Sequence, residues 1–230
     1  MKTEVPGNAR REIKFVADET EADRLIHWLK VHPAGFREAY PARWINSIYF
    51  DTHDLWTYRQ NLAGASERHK VRYRWYGPAR LPGPGAFEVK CKRNYFGWKL
   101  RFPVRRLSIA AGGRWHDFVV QVTDELPAEG RIWLHACPRP TLLVRYMRYY
   151  FETPDRRMRA TVDQHQEMFD QRYKPYLNIT RASNIPRTVV FELKFERKDR
   201  LLAARLLSGF PVRVSRHSKY VAGLRSVQGF

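Results

Sequence analysis

The chain has few cysteines and few acidic side chains, and it lacks any long apolar run. Its 230 residues include two cysteines, Cys91 and Cys137, whose spacing is not that of a metal site. We expect both to be reduced, as in a cytosolic protein. No segment approaches the length of a membrane span, and residues 1–7 lack the apolar core of a secretory signal. The sequence therefore predicts a cytoplasmic protein without a transmembrane segment.

The motifs of several common enzyme classes are also absent. There is no Gly-x-x-x-x-Gly-Lys phosphate loop, no Gly-x-Gly-x-x-Gly, no Gly-x-Ser-x-Gly and no His-Glu-x-x-His. An enzyme built on this sequence would have to work by the placement of charge. Phosphoryl transfer allows this, because its catalysis consists mostly of positioning the reactants and neutralising phosphate oxygens.

Basic residues dominate the charged positions. Lys and Arg total 42 against 23 Asp and Glu, which gives a formal net charge of +19 at pH 7. This charge predicts an anionic partner, and nucleic acid, polyphosphate, nucleotides and acidic membranes all meet the requirement. The length predicts a single domain over residues 1–230, with a core at about 10–224.

Charged side chains follow a two-residue period in two neighbouring segments. They are Lys70, Arg72, Arg74, Glu88, Lys90 and Lys92. Successive side chains of a strand point to opposite faces, so each segment would carry its charges on one face and its apolar residues on the other. Glycines and prolines between residues 77 and 85 indicate an antiparallel pair. The simplest alternative is a solvent-exposed basic face, which could bind the backbone of a nucleic acid.

The same alternation recurs near the N-terminus and in segments 157–163 and 189–195. Apolar faces this rich in aromatic residues must be buried, and helices that cover them from outside would leave the charged faces turned inward. A closed sheet has no exposed edge and encloses a polar lumen. The sequence therefore predicts an α+β fold, a closed antiparallel β-barrel of about eight strands that forms a tunnel with helices packed on the outside.

Other elements follow from periodicity and from helix-capping residues. Helices are expected at 18–31, 52–62, 116–126 and 199–207, and strands at 44–51, 98–104, 141–152 and 156–165. Residues 166–186 show no sustained period and are predicted to form a loop.

Several motifs, taken together, point to one family. They are Arg10-x-Glu12-x-Lys14, the segment from Ser47 to Thr52, Lys70-x-Arg72-x-Arg74, Glu88-x-Lys90, Arg148, Arg159, Glu192-x-Lys194 and Ser218-Lys219-Tyr220. In their order and spread the chain resembles the VTC domain, the polyphosphate-polymerase branch of the triphosphate tunnel metalloenzymes in the CYTH-like superfamily. Each motif alone is weak, whereas the set covers nearly the whole chain.

The resemblance implies which residues would bind phosphate or nucleotide. They are Lys14, Lys70, Arg72, Arg74, Lys90, Lys99, Arg148, Arg159, Lys194 and Lys219. Among them, the residues expected to act in catalysis are Arg72, Arg74, Arg148, Arg159 and Lys219. Arginine offers a forked donor that matches phosphate oxygens, and lysine a mobile point charge. For Lys90 and Lys99 the alternative, an ordinary exposed strand position, is stronger than it is for the other residues.

Glu192 is the expected ligand of Mn²⁺ or Mg²⁺, again by resemblance. These ions take hard oxygen donors, and a triphosphate would supply most of the remaining coordination. Glu88 and Glu12 are weaker candidates, because either could hold neighbouring cations in place instead. The alternative for Glu192 is an ion pair with Lys194 or across strands. Asp163 is expected to be a structural partner of an arginine.

The resemblance implies a metal-dependent phosphotransferase that moves the γ-phosphoryl of ATP onto a growing polyphosphate chain, which would thread through the lumen. Many hydrolytic relatives open with Glu-x-Glu-x-Lys, whereas this chain has Arg10 at the first position, which favours the polymerase branch. Two alternatives stay open, a hydrolase of triphosphate or nucleoside triphosphates and a non-catalytic polyphosphate-binding domain. ATP with polyphosphate, or another triphosphate, is expected as the partner ahead of nucleic acid.

Overall fold

Eight strands form one antiparallel sheet in the computed structural model, which describes residues 11–228. The strands are β1 (Arg11–Asp18), β2 (Arg37–Asp51), β3 (Glu67–Tyr76), β4 (Gly85–Arg93), β5 (Phe96–Val104), β6 (Arg139–Glu152), β7 (Met158–Asp170) and β8 (Thr188–Phe195). Their order across the sheet is β1-β8-β7-β6-β2-β3-β4-β5. The predicted α+β fold with eight antiparallel strands is confirmed. Arg10, which opens the first predicted motif, lies outside the described residues.

The sheet is not closed into a barrel by hydrogen bonds, so the prediction of closure was wrong. Strands β1 and β5 are its two edges, and they do not pair with each other within residues 11–228. Side chains cross this seam instead. Lys90 Nζ of β4 lies 3.1 Å from Glu12 Oε1 of β1, and the Arg11 guanidinium lies 5.6 Å from the centre of the Tyr95 ring.

The free edge of β1 is partly occupied by the chain that leads to the C-terminal helix. Ser215 N donates to the Lys14 carbonyl at 2.9 Å, and Val214 forms an antiparallel bridge with Phe15. These contacts take up hydrogen-bonding positions that a pairing strand would need. The open seam therefore has a physical reason, and that reason depends on residues 200 positions apart, beyond the reach of local periodicity.

Six α-helices accompany the sheet in the described part of the chain. They are α1 (Ala22–Val31), α2 (Trp56–Ala63), α3 (Trp115–Glu125), α4 (Ala128–Ala136), α5 (Arg200–Leu206) and α6 (Lys219–Gln228). Helices α3 and α4 bury the aromatic face of β3 and β4, where Tyr73 and Phe87 pack with Phe118 and Val122. Helices α1 and α5 cover β1, β7 and β8. Between residues 11 and 228, no helix is both long and apolar enough to cross a membrane.

Helix α6 departs from the prediction that the helices pack outside. Its Tyr220 and Leu224 pack against Leu142 and Val144 of β6, which share a strand face with the cavity-lining Tyr146. Helix α2 joins this cluster, because the Asp51 carboxylate accepts from Thr57 N and Tyr58 N at the start of α2 and from the Tyr220 hydroxyl. Helix α6 therefore forms a floor at one end of the concave side.

Two regions of the chain differ from the sequence-based element assignment. Helix α4 was not predicted, and β7 continues to Asp170 through part of the predicted loop at 166–186. The register between β6 and β7 shifts between Arg145 and Met147, and His165 has a φ of 54°. This irregularity changes the phase of the alternation, so a strict two-residue pattern ends before the strand does.

Candidate active site

A cavity of about 780 Å³ lies on the concave side of the sheet, above helix α6. Among residues 11–228, the cationic side chains that line it number twelve: Arg11, Lys14, Arg43, Lys70, Arg72, Arg74, Lys90, Lys92, Lys99, Arg148, Lys194 and Lys219. Only two carboxylates from this part of the chain, Glu12 and Glu192, line it. The strands therefore turn their charged faces inward and their aromatic faces toward the outer helices. This cavity is a strongly positive site for an anion.

Nine of the ten predicted phosphate-binding residues line this cavity. The exception is Arg159, whose side chain is 46% exposed and lies 3.5 Å, Nε to Oε2, from Glu152 near the open end of the sheet. Of the predicted carboxylates, Glu192 and Glu12 line the cavity, whereas Glu88 lies beneath the cations and is 1% exposed. The inward alternation of β3, β4 and β8 brings these residues together from strands distant in sequence.

Glu88 is held by cations on both sides. Arg72 donates to Glu88 Oε2 from Nε at 2.9 Å and from Nη2 at 2.7 Å, and Lys99 Nζ donates to Oε1 at 2.9 Å. Burial raises the pKa of Glu88, but Arg72, Arg74 and Lys99 outweigh it, and the net pKa is far below that of an ordinary glutamate. Glu88 thus supplies the anion that facing cations on β3, β4 and β5 require.

Glu192 and Glu12 share a lysine. Lys14 Nζ lies 2.8 Å from Glu192 Oε1 and 3.7 Å from Glu12 Oε1, and Lys194 Nζ lies 3.1 Å from Glu192 Oε2. Burial raises the pKa of Glu192, but the opposite effect of Lys14 and Lys194 is larger. The net pKa therefore lies well below that of an ordinary glutamate. The intrastrand ion pair weighed as an alternative for Glu192 is therefore present, together with a cross-strand pair to Lys14.

Asp163 binds two cations at the base of the cavity. Arg148 donates to it from Nε at 2.5 Å and from Nη2 at 2.6 Å, and Lys219 Nζ lies 2.6 Å from Oδ2. The carboxylate is fully buried. Burial raises the pKa of Asp163, but Arg148 and Lys219 outweigh it and keep the group ionised. Asp163 is thus the structural partner of an arginine, and it also holds the first residue of α6.

Lys70 and Arg74 differ from these cations because neither makes an ion pair within residues 11–228. Lys70 Nζ donates to Ser218 Oγ at 2.7 Å, and Arg74 donates to Ser47 Oγ and to the Tyr146 hydroxyl, each at 3.1 Å. Burial and then Lys90 and Lys14 bring the pKa of Lys70 well below that of a free lysine. Both side chains hydrogen-bond to neutral hydroxyls rather than to a carboxylate, so both are available to pair with a bound anion.

Several lining residues were missed by the sequence analysis. Tyr49 and Tyr146 face the cavity, and Tyr49 stacks on Tyr220 with ring centres 4.7 Å apart. The alternation of Ser47 and Tyr49 against Ile48 and Phe50 could have identified Tyr49. Ser218 also lines the cavity, and its Oγ accepts from Lys70 Nζ and, at 3.3 Å, from Val221 N as the cap of α6.

Among residues 11–228 no histidine lines the cavity. Burial, Lys219 and Lys14 lower the pKa of the nearby His217 to about 3. It is therefore neutral at physiological pH. The cavity offers positive charge and hydrogen-bond donors rather than a histidine that could exchange protons near neutrality.

The carboxylates fit a metal ion only in combination with a phosphate ligand. Among residues 11–228 no group of three or more His, Cys, Asp or Glu side chains could hold a metal. Glu192 and Glu12 offer carboxylate oxygens on adjacent strands around Lys14. Mg²⁺ is commonly bound by one or two carboxylates together with substrate phosphates. The donor set therefore suits an ion that arrives with a polyanion.

Comparisons with known proteins place this chain in a family. A candidate adenylate cyclase from Vibrio parahaemolyticus is similar in structure, with a TM-score of 0.53 at 12% identity over 94% of this chain and 97% of that chain. A candidate adenylyl cyclase from Hippeastrum, with a dominant triphosphatase activity, has a TM-score of 0.53 at 13% identity over 95% and 96%. These likenesses show a shared fold. No curated protein matches the chain. The sequence profile of the VTC domain matches residues 9–228, and the chain therefore belongs to the VTC domain family.

Proposed function

We propose that this protein transfers the γ-phosphoryl group of ATP to the end of a polyphosphate chain and releases ADP. The observation that carries the proposal is that Lys70 and Arg74, which make no ion pair among residues 11–228, lie in one cavity with the ion-paired Arg72 and Arg148. Membership of the VTC domain family supports it. The substrate ATP places the proposed reaction in the cytoplasm.

The cations have distinct roles in this proposal. Arg72, Arg74 and Arg148 neutralise the oxygens of the transferred and leaving phosphates, and their hydrogen bonds to Glu88, Tyr146 and Asp163 hold them in place. Lys14, Lys70 and Lys219 orient the phosphates. The remaining lysines, Lys90, Lys99 and Lys194, add to the positive potential. Arg159, at the rim, guides the acceptor chain. Prearranged charge of this kind lowers the barrier without a covalent intermediate.

Glu192, assisted by Glu12, would hold Mn²⁺ or Mg²⁺ together with the phosphates of the substrate. The bound ion would neutralise charge on phosphate oxygens. For this to happen Lys14 has to release one of the two carboxylates, because its Nζ lies within 3.7 Å of both. An arriving polyanion provides a new partner for Lys14. In this proposal the substrate and the ion bind together.

The direct test is synthesis of long-chain polyphosphate by the purified protein from ATP with Mn²⁺ or Mg²⁺, measured as polymer and ADP. Orthophosphate release without polymer would instead identify a hydrolase. That second candidate is favoured by the structural similarity to the Hippeastrum protein with triphosphatase activity. Inactivity of the wild type with every divalent ion tested would remove both enzymatic proposals.

Glu192→Gln separates an enzyme from a binding domain. An enzyme should lose turnover by at least about a hundredfold, because a charge that acts in the transition state has been removed. A pure binder should keep or gain affinity for tripolyphosphate when a carboxylate is neutralised. Glu196→Gln is the matched control, since Glu196 is exposed and pairs with Lys198 outside the cavity.

A further inference from the structure

Arg43 lies among three tyrosines at the rim of the cavity. Its guanidinium carbon is 4.5 Å from the ring centre of Tyr76, 5.0 Å from that of Tyr150 and 5.8 Å from that of Tyr40. Its Nε also donates to the Tyr150 hydroxyl at 3.2 Å. Arg43, Tyr76 and Tyr150 line the cavity, and Tyr40 packs edge-on against Tyr150. Arg43 has no ion pair among the described residues, so the rings are its main contacts.

This cluster lies two residues along the strands from arginines of the proposed phosphate site. Tyr76 follows Arg74 by two residues on β3, and Tyr150 follows Arg148 by two residues on β6. Arg43 is the register partner of Arg148 across β2 and β6. Two residues of a strand span about 6.6 Å, which is comparable to the ribose that separates the phosphates of a nucleotide from its base. A triphosphate held by the inner arginines would therefore bring its base to these rings.

The faces of these rings suit a base better than a phosphate. Aromatic rings and guanidinium planes stack on the π-face of a nucleobase, whereas the face of an aromatic ring has no hydrogen-bond donor for an inorganic phosphate. Tyr76 is 42% exposed and Tyr40 is 57% exposed, so ring surface remains available beside the cavity. A base bound in the cavity could therefore contact these rings without any rearrangement of the core.

We propose that Tyr76, with Arg43 and Tyr150 behind it, is a stacking platform for the nucleobase of the nucleoside triphosphate substrate. The proposal rests on the proposed function, because it requires a nucleotide in the cavity. Among the described residues, the cluster offers the base aromatic rings and a guanidinium group. It offers no side-chain amide that could hydrogen-bond to the edge of the base. It therefore distinguishes a nucleoside triphosphate from tripolyphosphate, and a purine from a pyrimidine, but not ATP from GTP.

The test is the binding of ATP and of tripolyphosphate, measured by calorimetry at constant ionic strength. For Tyr76→Ala we expect about tenfold weaker ATP binding, because base stacking is lost, and less than a twofold change for tripolyphosphate. Tyr76→Phe keeps the ring and should bind both ligands like the wild type. Tyr173→Ala is the matched control, because Tyr173 is 85% exposed and lies outside the cavity lining. In the wild type, GTP should bind like ATP and CTP more weakly.

The outcomes separate the platform from the function on which it rests. Equal losses for ATP and tripolyphosphate in Tyr76→Ala, or no loss for either, would overturn the platform while leaving the triphosphate site intact. A wild type that prefers CTP to ATP would overturn it as well. Failure of the wild type to bind either ligand would overturn the platform together with the proposed function.

Discussion

Arg148 and Asp163 form a two-pronged ion pair across β6 and β7, with nitrogen-to-oxygen distances of 2.5 and 2.6 Å. Lys219, the first residue of α6, binds the same carboxylate at 2.6 Å. One buried acid therefore fixes both a cation of the proposed site and the helix that forms the floor. Structure and proposed chemistry are coupled at this residue.

The substitution Asp163→Asn should destabilise the protein. It leaves Arg148 and Lys219 buried without their counter-ion, and breaking a buried ion pair from one side typically costs about 3 kcal/mol or more. Chemical denaturation would measure the free energy of unfolding. The control is Asp117→Asn, because Asp117 is exposed on α3. Equal stability of the two variants would contradict the role given to Asp163.

The floor should not tolerate a larger residue at Gly223. A Cβ atom there would lie 2.4 Å from Leu142 Cδ2 and 2.6 Å from Met168 Sδ. Gly223→Ala should therefore push α6 away from β6 and lower the free energy of unfolding by about 1 to 3 kcal/mol. Gly97→Ala is the control, since a Cβ at Gly97 meets only the Cys91 carbonyl oxygen at 3.7 Å. Thermal denaturation would compare the variants, and an unchanged midpoint for Gly223→Ala would show that α6 repacks freely.

Replacement of Lys14 should create affinity for a free metal ion. Lys14 Nζ lies between the carboxylates of Glu12 and Glu192, and these outweigh burial to raise the pKa of Lys14 above that of an ordinary lysine. In Lys14→Met the two acids lose that shared cation. We expect Mn²⁺ to bind this variant at least about tenfold more tightly than the wild type without nucleotide.

The resonance of unbound Mn²⁺ in solution, followed by electron paramagnetic resonance, would measure this affinity. Lys198→Met is the matched control, because Lys198 is 72% exposed and pairs with Glu196 away from the cavity. If Lys14→Met binds Mn²⁺ no better than this control, Glu12 and Glu192 do not form a latent cation site.

Lys70→Met should stabilise the protein while weakening anion binding. The wild type buries a cation that has no carboxylate partner among residues 11–228, and its removal should raise the free energy of unfolding by about 1 kcal/mol. Because the pKa of Lys70 is lowered in the folded state, the folded protein binds fewer protons than the unfolded one in the range between the two pKa values. Wild-type stability therefore rises with pH in that range.

The gain from Lys70→Met should accordingly be largest below the lowered pKa of Lys70 and shrink as pH rises toward 10.5, the ordinary value. Denaturation across a pH series would measure it, and calorimetry would show weaker tripolyphosphate binding. Lys174→Met, outside the cavity lining, is the control. A variant that loses stability at neutral pH would show that the Lys70 contact with Ser218 outweighs the uncompensated charge.

The inward face of the sheet was predictable because it depends on local alternation. The positions of Lys70, Arg72 and Arg74 follow from a period of two, and large aromatic residues on the other face required a cover. The position of Arg43 did not follow, since β2 changes register between Glu38 and Tyr40 and again between Tyr40 and Arg43. Such irregularities move a side chain to the opposite face of the sheet, and the local sequence pattern does not predict where they occur.

The sequence also could not predict how deep each side chain lies in the cavity or whether the sheet closes. Arg159 lies on the cavity-facing side of β7, opposite the lining Lys194, but its side chain pairs with Glu152 and is exposed. A closed barrel was predicted because it leaves no strand edge unpaired. In the structure, residues 214–215 instead occupy part of the β1 edge. Both features are set by contacts between residues far apart in the chain, so only the assembled structure shows them.

The seam between β1 and β5 has a topological consequence. A linear molecule surrounded by a ring of hydrogen-bonded strands could leave only end first. Here the two sides meet through the Lys90 contact with Glu12 and the Arg11 contact with Tyr95, which rotations of side chains can break while every strand stays paired. For the polyphosphate chain of the proposed function, the seam would thus be a lateral exit that a closed ring of strands does not offer.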